Sequence, residues 1–430
     1  LEAQWMPFTG NRDFKENPRM ITKAQGAYVW NQKGDRLIDA SSGLFNVPAG
    51  HSRKEIADAV YGQMLQNSYS LPFQTGQPAS FALAEKLVRL LPDPLNHVFF
   101  TNSGSESIDT ALKIAMAFHR ARGQGHRTRF VSRERAYHGV NIGGISLSGM
   151  VKNREAFSGV MPNIVMMRHT FDGENLFERG EAASGAARAE DLTRIIETYG
   201  GSTIAAVFVE PVAGSTGVLV PPKGYLKRLR EICDQHDILL IFDEVITGFG
   251  RLGTPFASDY FGVVPDMITM AKAITNGAIP MGAVAVSDDI YETITNAAPE
   301  NAIELFHGYT YSGHPAACAA GLASLKIYED EGLFEQAAAL SNYFLDAVWS
   351  LKDLAIIKDL RGIGLMAGIE LHPSSKGAGM LGTRLQKELF WNGCCVKWTG
   401  DTAILAPPFI VNHKEIDEMI DLISKILKPL

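Results

Sequence analysis

Three apolar runs in the sequence each end at an ionisable side chain that could take part in chemistry. Lys272 ends "PDMITMAK", Asp243 ends "LLIFD" and Glu210 ends "AAVFVE". Burying an ammonium or a carboxylate without a partner costs several kcal/mol, so such a residue is paired, reaches solvent or reacts. A lysine in apolar surroundings has a depressed pKa, and its free amine is then a nucleophile and a proton carrier.

A fourth stretch, "VFFTNSGSES", could bind an anion. It turns from a strand into a helix through Ser103, Gly104 and Ser105. Backbone amides and hydroxyls at a helix N-terminus bind phosphate and similar groups. Small Ser/Gly loops also occur as plain helix caps, so this stretch alone does not establish a phosphate site.

The apolar runs that carry these residues predict the strands of one parallel sheet. From about residue 95 to 290, short apolar runs alternate with helical patterns, including a helix from about Ser107 and another within 224–237. Strands this uniformly apolar are typical of a parallel sheet covered by helices on both faces. Since ligands of such sheets bind at the carboxyl ends of the strands, the four stretches are expected to meet there. The predicted strands are 97–100, 164–169, 204–212, 238–245, 266–271 and 281–287.

The two ends of the chain predict a smaller α+β domain. Residues 20–40 alternate as a strand meander, and from about 315 the pattern predicts a long helix, a hairpin over 359–371 and two final helices. The insert at 172–190 is rich in Gly, Ala and charge and is expected to be a surface excursion. The predicted division is an N-terminal segment 1–58, a large domain 59–312 and a C-terminal segment 313–430.

Composition favours a small-molecule ligand. The 430 residues carry a net charge of −7 with no run of Lys or Arg longer than two, which indicates neither a nucleic-acid nor an anionic-membrane surface. No apolar run approaches the ~20 residues of a membrane span. The four cysteines, Cys233, Cys318, Cys394 and Cys395, form no CxxC or Cys/His pattern. We therefore expect no metal site, reduced thiols and a cytoplasmic location.

Two other ligand classes are disfavoured, one because part of its motif is missing and one because its motif lacks the required helix. "LLIFDE" resembles the metal-binding strand of a nucleoside triphosphatase, but that site also needs a Gly-Lys pair, which the chain lacks. Gly362, Gly364 and Ala367 match a dinucleotide fingerprint, yet the sequence continues as a strand where a helix is required. Pyridoxal 5′-phosphate fits better, because it needs an amine, a carboxylate for its ring nitrogen and a phosphate anchor. Lys272, Asp243 and the 103–105 loop could supply these.

Many stretches of the chain together resemble one family, the class III (ω-amino acid) aminotransferases of the fold-type I pyridoxal phosphate enzymes. Within that family the chain is most similar to the β-alanine (ω-amino acid):pyruvate transaminases, over nearly its whole length. The resemblance implies a large α/β domain with a mainly parallel seven-stranded sheet and a small α+β domain built from both termini. The matching stretches include "WMPF", "GLFNVPAGHSRKEI", "LNHVFFTNSGSES", "AYHGVN", "VEPVAGSTGVLVPPKGYL", "LLIFDEVITGFGRLG", "AKAITNGAIPMGAV" and "HGYTYSGHPAACAAGLA".

The resemblance also implies roles for individual residues. Lys272 would be the Schiff-base lysine and Asp243 the partner of the pyridine nitrogen, with Val245 and Tyr137 on the two ring faces. Without the resemblance, Tyr137 would equally suit a core aromatic and "GYTYSGHP" a tight turn. Glu244, next to Asp243, alternates to the other face of its strand and is expected to be structural. The remaining implied cofactor contacts are Ser103, Gly104, Ser105, His138, Glu210 and, from a second subunit, Thr310.

The expected substrate site comprises Trp5, Phe45 and Lys397, and two of these depart from the family pattern. Lys397 stands where the family has the arginine that clamps the substrate carboxylate, and lysine offers a flexible point charge instead of a planar fork. Phe45 stands where the family usually has tryptophan, which enlarges the pocket wall and removes an N–H donor. A different keto acid preference and a roomier amine pocket are therefore expected.

The implied reaction is a ping-pong transfer of an amino group from an ω-amino acid or amine to a keto acid, expected to be pyruvate. Lys272 would move the proton during the transfer. The family assembles as homodimers or tetramers with shared active sites. An aminomutase, a racemase or a decarboxylase of the same fold is the nearest alternative, and a cofactor-free binding protein is a remote one.

Overall fold

The N-terminal part of the chain forms a small antiparallel meander followed by two helices. The computed structural model describes residues 1–157, 161–171, 173–375 and 377–430. The meander turns at Lys33–Asp35, as the sequence predicts. The elements are α1 (Asn11–Glu16), β1 (Ile21–Gln25), β2 (Tyr28–Asn31), β3 (Arg36–Asp39), the kinked turn α2 (Ser42–Phe45), α3 (Lys54–Gln66) and α4 (Pro78–Val88).

The middle of the chain forms a seven-stranded sheet flanked by helices, which confirms the predicted fold class. Its strands are β4 (His97–Thr101), β5 (Arg129–Arg133), β6 (Ile164–Met167), β7 (Ile204–Val209), β8 (Leu239–Asp243), β9 (Met267–Met270) and β10 (Gly282–Val286). Its helices are α5 (Gly104–Ala121), α6 (Ile142–Leu147), α7 (Val151–Arg154), α8 (Glu190–Tyr199), α9 (Tyr225–Gln235), α10 (Ala257–Phe261) and α11 (Asp288–Ala297).

The sheet order is β4-β10-β9-β8-β7-β5-β6, and β10 alone runs antiparallel to its two neighbours. Every residue of β7 and β8 is buried, which explains their uniformly apolar sequences. The carboxyl ends of five of these strands, β4, β5, β7, β8 and β9, come together along one edge of the sheet.

The C-terminal part completes the small domain. Its elements are α12 (Pro315–Asp330), α13 (Leu333–Trp349), β11 (Ile357–Ile363), β12 (Met366–Leu371), α14 (Met380–Trp391), β13 (Cys394–Cys395), β14 (Lys397–Thr399), β15 (Thr402–Leu405) and α15 (His413–Leu427). The strand β13 pairs in parallel with β3, so residues near both termini share one four-stranded sheet. The predicted hairpin is the antiparallel pair β11–β12, in which Gly362 and Gly364 serve a strand and its turn rather than a dinucleotide site.

Several predicted bounds differ from the structure. The helix expected from Ser107 begins at Gly104, because the Ser103 side chain accepts a hydrogen bond from the Glu106 amide and caps it. The long helix expected from 315 is two helices, since Gly332 adopts a left-handed conformation (φ 58°) between them.

The domain division stays a prediction, and its boundary at residues 58/59 falls inside α3. Most residues of the 172–190 insert that the structure describes are exposed or half-buried, as expected, while residue 172 lies outside the described residues. Over the described ranges, no helix is both long and apolar enough to cross a membrane.

Candidate functional site

A cavity of about 130 Å³ lies at the carboxyl ends of the central strands. Residues that follow β4, β5, β7, β8 and β9 all contribute to it, which is where an open α/β sheet binds its ligand. The lining residues are Ser103, Gly104, Ser105, Tyr137, His138, Gly139, Glu210, Val212, Asp243, Val245, Ile246, Ala271 and Lys272.

One wall of the cavity is the N-terminus of α5, a helix of 18 residues. Ser103 caps this helix, and the Glu106 carboxylate accepts a hydrogen bond from the Asn102 amide at 2.7 Å. Gly104 lets the helix approach Val245, whose methyl groups would lie 3.1 Å from a Cβ at this position. The amides of the first helical turn and the positive end of the helix dipole make this wall suitable for a phosphate group.

Lys272 enters the cavity directly after β9, from a backbone in the left-handed region (φ 48°). Removal of its ammonium from water lowers the Lys272 pKa, and the negative charges of Asp243 and Glu210 oppose that shift. A lowered pKa increases the fraction of free amine at neutral pH, which is the form that acts as a nucleophile.

Asp243, at the end of β8, is held in position from two sides. Its Oδ1 accepts a hydrogen bond from the Val245 amide at 3.1 Å, and its Oδ2 pairs with His138 Nδ1 at 2.8 Å. Among the described residues, nothing bonds to the other ring nitrogen of His138, although that atom is buried. The pair fixes the direction of the Asp243 carboxylate at the cavity wall.

Glu210 is a second carboxyl group in the cavity, and its environment favours the protonated form. Burial raises the pKa of Glu210 to about 7, against the lowering influence of His138. Its Oε2 accepts a hydrogen bond from the Tyr137 amide at 3.1 Å. Burial raises the Tyr137 pKa, and the nearby charges of Asp243 and Glu210 raise it further.

Glu244 points away from the cavity, as its alternation with Asp243 predicts. Its carboxylate accepts hydrogen bonds from Thr247 Oγ1 at 2.9 Å and from the amides of Ala257 and Ser258 at 2.6 and 2.9 Å. Burial raises the Glu244 pKa to about 7. Through these hydrogen bonds Glu244 joins β8 to the start of α10, so its contacts are structural.

The structure places most of the predicted cofactor residues in the one cavity. These are Ser103, Gly104, Ser105, Tyr137, His138, Glu210, Asp243, Val245 and Lys272. Thr310, expected to act from a second subunit, is exposed on this chain outside that cavity. Over the described residues, no group of three or more His, Cys, Asp or Glu side chains is arranged to hold a metal ion.

The three predicted substrate residues do not line the cavity in this single chain. Trp5 is 89% exposed. Phe45 is 2% exposed and belongs to a buried cluster that includes Val212, a lining residue. Lys397 lies in β14, where burial lowers the pKa of its ammonium.

Residue patterns did not identify Gly139, Val212, Ile246 and Ala271, which also line the cavity. They are apolar or glycine residues, so only their positions next to the predicted strand ends could have indicated them. The pairing of His138 with Asp243 was also missed, because the two residues lie 105 positions apart in the chain.

Comparison with known proteins agrees with this arrangement. A family model described as "Aminotransferase class-III" matches residues 9–427. An omega-aminotransferase of Caulobacter vibrioides is 50% identical over 99% of this chain and 97% of its own length. A beta-alanine–pyruvate aminotransferase of Pseudomonas aeruginosa is 48% identical over 99% of this chain and 96% of its own length.

Solved structures show the same architecture. A thermostable omega transaminase 6-fold mutant from Pseudomonas jessenii superposes with a TM-score of 0.95 at 33% identity, covering 100% of this chain and 97% of that one. The omega transaminase of the same organism in complex with PMP gives a TM-score of 0.94 at 32% identity, covering 100% and 98%.

Proposed function

Because the chain belongs to the class III aminotransferases, which depend on pyridoxal phosphate, we propose that it transfers the amino group of an ω-amino acid such as β-alanine to pyruvate. The observation that carries the proposal is the cavity that brings Lys272, Asp243 and the N-terminus of α5 together. Two relatives support the substrate class, one named for β-alanine and pyruvate at 48% identity and one named for ω-amino acids and pyruvate at 47% identity.

The residues of the cavity fit pyridoxal phosphate. The N-terminus of α5 with Ser103 and Ser105 would hold the phosphate, and Asp243, directed by His138, would hold the ring nitrogen in its protonated form. The other ring nitrogen of His138, which is buried and has no hydrogen-bond partner among the described residues, is a further polar atom that a bound group could satisfy. Val245 and Tyr137 would enclose the ring. When bound, the cofactor supplies an aldehyde that takes up the amino group and a ring that withdraws electrons.

Lys272 would both carry the cofactor and move the proton of the transfer. Its burial lowers its pKa, which makes its Nζ a readier proton donor than the ammonium of an exposed lysine. The Asp243 charge lies close enough to favour the protonated form of this amine.

The carboxyl group of Glu210 would allow an anionic substrate to enter the cavity. With a pKa of about 7, this carboxyl group is partly protonated at neutral pH and repels a substrate carboxylate less than an ionised glutamate would. The carboxylate itself would be bound by Lys397, and Phe45 would set the size of the amine pocket from the buried cluster that contains Val212.

A homodimer would complete the site, because Thr310 and Trp5 lie outside the cavity of their own chain. Several large apolar side chains remain exposed on one chain near Thr310, among them Phe306 (88% exposed) and Tyr311 (56%). A second cavity of about 240 Å³ lies beside this segment and is lined in part by Leu71, Phe73 and Phe81. We propose that a second copy covers this surface, which analytical ultracentrifugation would test.

The experiment that tests the proposed function combines a product assay with peptide mapping. Incubation with β-alanine and pyruvate should yield alanine and 3-oxopropanoate in equal amounts. Borohydride treatment followed by mass spectrometry should find a pyridoxyl group on Lys272. Isomerised or decarboxylated β-alanine without alanine from pyruvate would instead indicate a mutase or a decarboxylase, and a colourless protein without the adduct would refute the cofactor site.

A further inference from the structure

The turn that carries Lys272 has an unusual backbone. Lys272, Asn276 and Gly277 all have positive φ angles, of 48°, 49° and 68°. Residues other than glycine rarely adopt a positive φ, and such a conformation persists only where the surrounding structure imposes it. The groups that hold this turn therefore decide where the lysine points.

Hydrogen bonds within the turn, and one from α12, fix its shape around Lys272. The Gly277 amide donates a hydrogen bond to the Lys272 carbonyl at 3.2 Å, and the Asn276 amide donates to the Ala273 carbonyl at 3.0 Å. The Tyr328 hydroxyl of α12 also donates to the Ala273 carbonyl. These bonds set the shape of the turn, but they do not connect it to the other side of the site.

The Asn276 side chain provides that connection. It is 5% exposed, its Oδ1 accepts a hydrogen bond from the Ala49 amide at 2.9 Å, and its Nδ2 donates to the Gly50 carbonyl at 2.9 Å. One amide group thus bonds to the backbone of two successive residues. Close to this bridge, a Cβ on Gly277 would lie 2.6 Å from the Asn46 side-chain nitrogen.

The segment on the far side of the bridge is held just as firmly. The carboxylate of Asp39 accepts hydrogen bonds from the Ser41 and Gly43 amides at 3.1 and 2.6 Å. Phe45 follows with a positive φ of 62° and is almost fully buried. The bridge therefore joins the turn of the lysine to the segment that bears the proposed pocket residue Phe45.

We propose that Asn276 is a positioning residue, which fixes the direction of Lys272 by tying its turn to residues 49 and 50. The inference rests on the proposed function, because it assigns Asn276 a role toward the lysine that carries the cofactor. Asparagine suits both tasks, since it tolerates the left-handed conformation and supplies one acceptor and one donor.

Two variants separate these properties. Asn276→Asp keeps the acceptor for the Ala49 amide but loses the donor and sets a carboxylate against the Gly50 carbonyl. Asn276→Gly keeps the backbone conformation and removes both bonds. Asn31→Asp is a matched control: Asn31 is 1% exposed, its Oδ1 accepts from Lys33 and Asp35 amides at 2.8 and 3.0 Å, and it does not line the cavity.

The measurement is the rate at which each full-length protein, freed of cofactor, captures pyridoxal phosphate, stopped at timed intervals with borohydride and read as pyridoxyl-Lys272 by mass spectrometry. The holoenzymes are compared by kcat, KM and Tm. Because a misplacement of about 1 Å can cost about 100-fold, both Asn276 variants should lose roughly 10- to 100-fold in capture rate and kcat. Their KM for pyruvate and their Tm should stay close to those of Asn31→Asp.

The outcomes distinguish the two proposals. Wild-type protein without an adduct at Lys272 would refute the proposed function and this inference with it. Wild-type capture with Asn276 variants within twofold of Asn31→Asp would overturn the inference alone. Loss of folding in both Asn276 variants, with Asn31→Asp intact, would also contradict it, because Asn276 would then be a stability residue.

Discussion

Asp243→Asn removes one charge from the cavity with almost no change in shape. The asparagine can still accept the Val245 amide, but it no longer offers His138 a charged acceptor. Loss of the negative charge should lower the Lys272 pKa further, because Asp243 opposes the effect of burial there. It should also lower the Glu210 pKa, which the Asp243 charge raises.

The expected cost divides into stability and rate. Weakening the bond to His138 should destabilise the fold by about 1.5–3 kcal/mol, the contribution of a hydrogen bond to a charged group. Losing a preorganised charge at the reacting centre should lower kcat by about 100- to 1000-fold, which corresponds to about 2.7–4 kcal/mol. If the variant remains folded, the loss of stability alone should leave kcat almost unchanged. The fall in kcat therefore reports the missing charge.

Glu244→Gln is the matched control, because Glu244 is the adjacent buried carboxyl group on the opposite face of the same strand. It should destabilise the fold by about 1–3 kcal/mol, since a glutamine N–H would face backbone N–H groups that now donate hydrogen bonds to Glu244. Its kcat should change less than about threefold, on the scale of a substitution that makes no contact with the reacting atoms. The assay is the single-turnover reaction of holoenzyme with β-alanine, alongside thermal unfolding. Equal loss of kcat in both variants, or a wild-type rate for Asp243→Asn, would refute the assignment of Asp243.

Three further predictions follow from single residues. Phe45→Trp should lower kcat/KM for a long-chain ω-amino acid relative to β-alanine by about tenfold, as expected for a smaller apolar pocket, and an unchanged ratio would exclude Phe45 from the pocket. Lys397→Arg should lower KM for pyruvate about tenfold, because one further charge-assisted hydrogen bond contributes about 1.5 kcal/mol; an equal KM in steady-state assays would place the carboxylate elsewhere. The Glu244 pKa of about 7 lies above its usual 4.5, so between pH 4.5 and pH 7 the native state binds a proton that the unfolded chain has lost. The free energy of unfolding should therefore fall as pH rises through this range, by up to about 3 kcal/mol. The difference in unfolding free energy between wild type and Glu244→Gln should therefore shrink from pH 5 to pH 8, and denaturant titrations showing a constant difference would contradict this.

The fold and the polar part of the site could be predicted because both follow local rules. Uniformly apolar runs marked β7, β8 and β9, and the residues directly after them formed the cavity. The strand β5 was not predicted from its residue pattern, since arginines stand at both ends of "RFVSR". Arg133 is nevertheless buried, where it donates to the Glu210 carbonyl.

What the sequence could not supply is contact between distant segments. The bond of His138 to Asp243 and the bridge from Asn276 to Ala49 join residues far apart in the chain, and no local periodicity records them. The placement of Phe45 depends on a positive φ that a phenylalanine would not be expected to adopt. Trp5 and Thr310 are exposed on one chain, away from the cavity, so their expected roles depend on contacts between chains.

The direction of β10 has a consequence for how far the sequence around Lys272 can vary in length. Because β9 and β10 are antiparallel neighbours, the chain leaves the sheet and re-enters it at the same edge, and Gly282 begins β10 against Ser103 and Ser107. The lysine therefore sits on a short return anchored at both ends, unlike the helix-containing crossovers elsewhere in the sheet. A residue inserted or deleted between β9 and Lys272 should therefore change the position of the amine, whereas the surface excursion before α8 should tolerate changes in length.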